Sequence, residues 1–111
     1  MFRSDLFVSA FIRRHNDLGE FTVVERQGDA LAGAIHIRHD HLDGTETLYG
    51  PAPMTARLDN PEARVFVRVL AHAKPAEVTA RLAREADFDP DIWVIAIEAR
   101  GEDVGLDLAR P

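Results

Sequence analysis

The chain has 111 residues, of which 46% are hydrophobic and 29% charged, and this suits one domain, 1–111, with a single core. Its net charge of −6 argues against general nucleic-acid binding, which depends on many lysine and arginine contacts with phosphates. The chain has no cysteine, which excludes disulfides, iron–sulfur clusters and cysteine nucleophiles and fits a reducing compartment.

The first predicted element is an amphipathic helix over residues 5–18. Apolar side chains recur at helical spacing along it: Phe7, Ala10 and Phe11. Ser4 or Asp5 is expected to cap its first turn, and Gly19 is placed to end it. The N-terminal stretch is too charged and too short for a signal peptide or a membrane span, so we expect a cytoplasmic protein.

Three strands are predicted next, because the apolar period changes to two. They cover residues 20–26, 32–39 and 45–49. A turn at 27–29 and an Asp43-Gly44 hairpin turn would join them in an antiparallel meander.

Residues 50–62 are expected to leave the sheet as a loop, because Pro51 and Pro53 cannot donate to a strand ladder. Residues 64–70 alternate as a strand does, with a helix as the alternative.

The C-terminal part is predicted to contain a helix over 75–86 and then a strand over 92–99. That last strand is apolar on both alternating faces, which is typical of a central strand covered on both sides. Residues 101–111 are expected to be a tail.

Together these elements predict an α+β domain in the order α-β-β-β-β-α-β, with a mainly antiparallel five-stranded sheet packed by two helices. Cover on both faces of the last strand requires one helix on each face or a second subunit. The second arrangement is the reason for predicting a homodimer.

Three histidines, His36, His39 and His41, are candidate metal ligands because neutral imidazole binds metals and Asp40 and Asp43 lie beside them. On a strand, however, His36 points away from His39, and His41 falls in a turn. We therefore expect no metal, and keep as the alternative a small metal-assisted or acid–base enzyme built on these histidines and nearby aspartates.

Other catalytic groups do not form a recognisable set. The only serines are Ser4, which suits a helix cap, and Ser9, which does not share a helix face with His15. Lys74, the only lysine, precedes a proline at a helix start. No cluster of glycines precedes a helix as a phosphate loop requires, so we expect no cofactor and no catalytic residue.

Four residues are the candidate contacts for a ligand or partner: Arg13, Arg14, Asp29 and Tyr49. The two arginines form a local basic cluster, and guanidinium groups suit carboxylates or phosphates. Pairing of these arginines with the acidic segment 85–108 within the chain is the alternative. Tyr49, before a glycine-proline pair, can line a pocket or an interface.

Four segments span most of the chain in one order: FVSAFIRR at 7–14, RQGDALAGAI at 26–35, LYGPAP at 48–53 and FDPDIWV at 88–94. In these the chain resembles the bacterial domain-of-unknown-function family 1491. The resemblance implies the fold and a cytoplasmic location, but no reaction, cofactor or partner. Leu31 stands where that family's hairpin tends to have a second acid, which argues against an acidic-pair site at Asp29.

We therefore interpret the chain as a non-enzymatic binding or protein-interaction module. Its expected contact surface is the arginine pair of the first helix with the loop from Tyr49 to Pro53, and its expected partner is a protein or a small anionic ligand.

Overall fold

The computed structural model describes residues 3–53 and 64–109, and these form two helices and six strands. In chain order the elements are α1 (Ser4–Asp17), β1 (Thr22–Arg26), β2 (Ile35–Asp40), β3 (Glu46–Pro51), β4 (Val65–Ala73), α2 (Pro75–Phe88), β5 (Trp93–Glu98) and β6 (Asp107–Leu108). The α+β class, both helices and the strand character of 64–70 are confirmed.

The strands form one mixed sheet in the order β1-β5-β2-β3-β4-β6. β5 runs parallel to β2, and β6 runs parallel to β4, while the other neighbours are antiparallel. The predicted meander is therefore wrong at its first step, because β5 lies between β1 and β2. An apolar strand gains most from two neighbours and cover on both faces, and β5 takes that position in place of a direct β1–β2 pair.

The predicted loop from residue 50 is wrong over its first residues, because β3 continues through Gly50 and Pro51, which pair with Val67 and Phe66 of β4. The next residue, Ala52, donates its N–H to β4 at 2.8 Å, so the nitrogen of Pro51 points towards β2. β2 pairs with β3 only as far as Tyr49, and the missing N–H of proline therefore interrupts no ladder. Residues 54–62 of the predicted loop lie outside the described residues.

The segment expected to be a tail supplies the sixth strand. β6 pairs with β4, and Val104 before it is buried in the core. The expected mainly antiparallel, five-stranded sheet is therefore corrected to a mixed sheet of six strands. A two-residue strand lies below the length at which apolar alternation can be recognised.

The two helices cover opposite faces of the sheet. Val8 and Phe11 of α1 belong to the core cluster that includes Ile37 and Ile95. α2 packs through Val78 and Leu82 against the other face, in a cluster with Leu48, Ile92 and Val94. The helices supply the cover that β5 requires, and the homodimer stays a prediction.

The start of α1 differs from the prediction, because no side chain caps it. Instead, the backbone N–H groups of Ser4 and Asp5 donate to the carbonyl oxygens of Leu31 and Ala30. The hydroxyl of Ser4 is buried and donates to the carbonyl oxygen of Gly33 at 2.7 Å. The loop between β1 and β2 thus satisfies the helix terminus that a cap would otherwise serve.

Candidate functional site

The three histidines named as metal ligands do not converge. His36 faces α2 and His39 faces α1, as strand alternation predicts, and both are buried. Burial lowers the pKa of each below its usual value, so both are neutral at pH 7. The Nε2 of His39 donates to the carbonyl oxygen of Ala99 at 2.7 Å, which fixes this ring in the core.

A different set of titratable residues meets at the end of the sheet where β2 turns into β3. One nitrogen or oxygen from each of His41, His72 and Glu102 lies within 4.8 Å of the others. The rings of His41 and His72 stack with centroids 4.1 Å apart, and the Nε2 of His72 is 2.8 Å from a carboxylate oxygen of Glu102. Only His41 was named from the sequence, because the other two lie 31 and 61 residues further along the chain.

The second candidate site is a groove between α1 and the β4–β6 edge, with a cavity of about 280 Å³. We call it the arginine groove, and define it by its lining: Phe7, Ala10, Phe11, Arg14, Arg64, Phe66, Gly105, Leu106 and Asp107. The three phenylalanine rings form its apolar wall, with the ring of Phe7 5.9 Å from that of Phe66 and 6.1 Å from that of Phe11.

Two guanidinium groups border this apolar wall. Arg64 lies over the ring of Phe7, 5.5 Å from its centroid, and donates to the Ser4 hydroxyl at 3.0 Å. Arg14 donates to the carbonyl oxygen of Gly105 at 3.3 Å. Among the described residues neither Arg13 nor Arg14 forms an ion pair with the acidic segment 85–108. The hydrogen bond of Arg14 to this segment goes to the backbone, at Gly105.

The four predicted contact residues lie in different places. Arg14 lines the arginine groove, whereas Arg13 lines a separate cavity between α1 and β1 with Trp93. The carboxylate of Asp29 accepts hydrogen bonds from two backbone N–H groups of its own loop, and its carbonyl accepts from the Trp93 indole at 2.7 Å. Asp29 therefore stabilises the loop between β1 and β2, whose carbonyl groups bind the start of α1.

Tyr49 is almost fully buried in β3 and lines a third cavity of about 270 Å³. The guanidinium of Arg68 lies 5.8 Å from the centroid of its ring, and Glu102 borders the same cavity. The sequence predicted that Tyr49 lines either a pocket or an interface, and it lines a pocket. This pocket is not the arginine groove that Arg14 lines.

The family model described as "Protein of unknown function (DUF1491)" matches residues 2–107. The chain belongs to the DUF1491 family. Membership in DUF1491 was the resemblance seen in the sequence, and it is confirmed.

Solved structures similar to this chain include proteins of two bacteria. A protein of A. tumefaciens, known from a solution structure, is 42% identical, with a TM-score of 0.84 over 98% of this chain and 96% of that chain. A DUF1491 family protein of Caulobacter crescentus, known from a crystal structure, is 31% identical, with a TM-score of 0.81 over 97% of this chain and 99% of that chain. No curated protein matches the chain.

Neither helix of the described residues has the length and apolar composition that a bilayer span requires.

Proposed function

We propose that this DUF1491 protein is a non-enzymatic binding module that holds a small amphipathic anion in the arginine groove. The observation that supports this is the pairing, in one cavity, of three phenylalanine rings with the guanidinium groups of Arg14 and Arg64. Phenyl rings favour the apolar body of a ligand, and guanidinium groups favour its carboxylate.

The charge of the lining favours a monoanion. Asp107 also lines the groove, so its two arginines and one aspartate have a net charge of about +1. The Nη2 of Arg14 makes contacts of 3.3 Å with Gly105 and 3.4 Å with His15, which are long for hydrogen bonds. A carboxylate at hydrogen-bond distance would therefore replace weak contacts by a stronger, charge-assisted one.

A cytoplasmic location and a homodimer complete the proposal. The absence of cysteine supports this location, since disulfides are typical of proteins in oxidising compartments outside the cytoplasm. Sedimentation at several protein concentrations tests the dimer, and a constant monomer mass would contradict it.

The groove can be tested by NMR titration of the full chain with 4-phenylbutyrate and with its neutral primary amide. We expect the carboxylate to shift backbone resonances of the groove saturably and the amide to bind at least about tenfold more weakly, because it lacks the charge-assisted bond.

Arg14→Gln and Arg13→Gln form a matched pair for this test, since both remove one exposed guanidinium from neighbouring positions of α1. Arg14→Gln is expected to weaken binding about 10- to 100-fold, the loss of one charge-assisted hydrogen bond, while Arg13→Gln leaves binding unchanged. Equal weakening by both variants would show that general charge, and not the groove, attracts the ligand. No saturable shift in the wild type would refute the proposal.

A further inference from the structure

We propose that His41, His72 and Glu102 form a binding site for a divalent transition metal of the zinc class. This site is independent of the arginine groove, because the two linings share no residue. Its three ligands come from the β2–β3 turn, the end of β4 and the loop before β6, so that folding brings them together.

The distances suit a single ion after a small movement. Zinc bonds of about 2.0–2.2 Å in a tetrahedral site place ligand atoms roughly 3.3 Å apart. In the structure the three candidate atoms lie within 4.8 Å of one another, and the His72–Glu102 pair is at 2.8 Å. The side chains of His72 and Glu102 are 44% and 63% exposed, so they can move by the roughly 1.5 Å that closing on an ion requires.

His72 is held in position by an irregular backbone. Its φ of +48° lies in the left-handed region, which is costly for a residue other than glycine. The register between β3 and β4 shifts between Glu46 and Leu48, and the N–H of His72 donates there to the Thr47 hydroxyl at 3.2 Å. Such a bulge turns a side chain out of the strand pattern, and here it brings His72 onto His41.

A hydroxyl group engages one ring nitrogen of His41, as metal-bound histidines commonly require. Thr47 lies 2.6 Å from the Nε2 of His41, which leaves Nδ1 as the ring nitrogen available to bind an ion. In His72 the Nε2 already contacts Glu102 at 2.8 Å, while Thr45 lies 3.4 Å from Nδ1, which is long for a hydrogen bond.

A surface ion pair between His72 and Glu102 explains two of these residues but not the third. It does not account for the ring of His41, which is 5% exposed and lies between those of His39 and His72, each 4.1 Å away. His39 is not among the residues whose ligand atoms lie within 4.8 Å of one another, so it is not part of the proposed site.

The donor set selects the class of metal. Two imidazole nitrogens and one carboxylate suit zinc and its neighbours, whereas calcium and magnesium prefer oxygen ligands alone. Three protein ligands leave a fourth position for water or a ligand, and the exposed side chain of Glu102 places that position at the surface.

The test is a calorimetric titration of the chelator-treated, untagged full chain with zinc ions alone. Glu102→Gln removes one ligand charge with little change of shape, and Glu77→Gln, on the exposed face of α2, is its matched control. His72→Asn removes the imidazole and keeps a residue that tolerates the left-handed backbone.

We expect one zinc ion per chain in the wild type and in Glu77→Gln, and at least about tenfold weaker binding in Glu102→Gln and His72→Asn. Circular dichroism checks that each variant folds. If His72→Asn does not fold, the result for Glu102→Gln alone decides the question. The proposal is overturned if the wild type binds no zinc saturably, or if either folded ligand variant binds zinc as the wild type does.

Discussion

His36 is expected to make the folded protein less stable in mild acid. Its side chain is 6% exposed, and its Nδ1 has no hydrogen-bond partner in the described part of the chain. Loss of hydration on burial lowers the pKa of His36 below 6.5. The charges of Glu85 and Asp89 act in the opposite direction and that of Arg81 in the same one, each with a smaller effect than burial.

The sign of the effect follows from where the proton binds. Below the pKa of the unfolded chain, near 6.5, unfolded His36 takes up a proton more readily than folded His36 does. The contribution of His36 to stability is therefore fully present well above pH 6.5. It is lost as the pH falls from about 6.5 towards the lower pKa of the folded protein. For one buried histidine the loss between about pH 7.5 and 5.5 is at most about 1.4 kcal/mol.

Urea unfolding of the wild type and of His36→Gln at a series of pH values measures this loss. A chelator is added so that metal binding does not contribute. The pKa of His39 is also lowered by burial, but His39 is present in both proteins and its effect cancels in the difference. We expect the wild type to lose up to about 1.4 kcal/mol more than His36→Gln on acidification. Parallel pH dependences would refute the reasoning.

Two further predictions concern stability and use urea unfolding at neutral pH. Ser4→Ala removes a buried hydrogen bond to Gly33 and is expected to lower the free energy of unfolding by about 1–2 kcal/mol. Ser9→Ala, at an exposed position of the same helix, is the control and should leave stability unchanged. Equal stability of the two variants would show that the Ser4 hydrogen bond does not stabilise the fold. Val104→Ala removes two buried methyl groups and is expected to cost about 2 kcal/mol, and an unchanged unfolding midpoint would show that the segment before β6 is not part of the core.

Local patterns predicted the elements well, because each pattern reports which face of a segment is buried. The apolar spacing of Val78 and Leu82 identified α2, and the double apolar pattern from Ile92 identified a central strand. The order of the strands could not be predicted in this way. Whether β1 pairs with β2 or with β5 depends on contacts between residues far apart in the chain, such as Thr22 with Ile97, 75 positions later, and no local pattern records them.

For the sites, too, local patterns were predictable from the sequence and contacts between distant residues were not. Strand alternation correctly separated His36 from His39, since it is a local property. The meeting of His41 with His72 and Glu102 depends on a bulge in β4 and on the path of the chain after β5, and neither leaves a spacing that the sequence displays. Arg14 was identified as a contact by its charge, but its phenylalanine neighbour Phe66 comes from β4 and was not.

The segment after β5 connects the two proposed sites. Glu102 is a ligand of the proposed metal site, and Gly105 to Asp107 line the arginine groove. Between them Val104 is buried in the core, and Gly105 has a φ of +73° and lies against the guanidinium of Arg14. A Cβ at position 105 would lie 2.6 Å from Nη2 of Arg14, so the arginine side chain would have to shift, and the positive φ is what favours glycine there. The part of the chain that was expected to be a tail therefore contributes residues to both sites, and burial of Val104 holds this segment against the core.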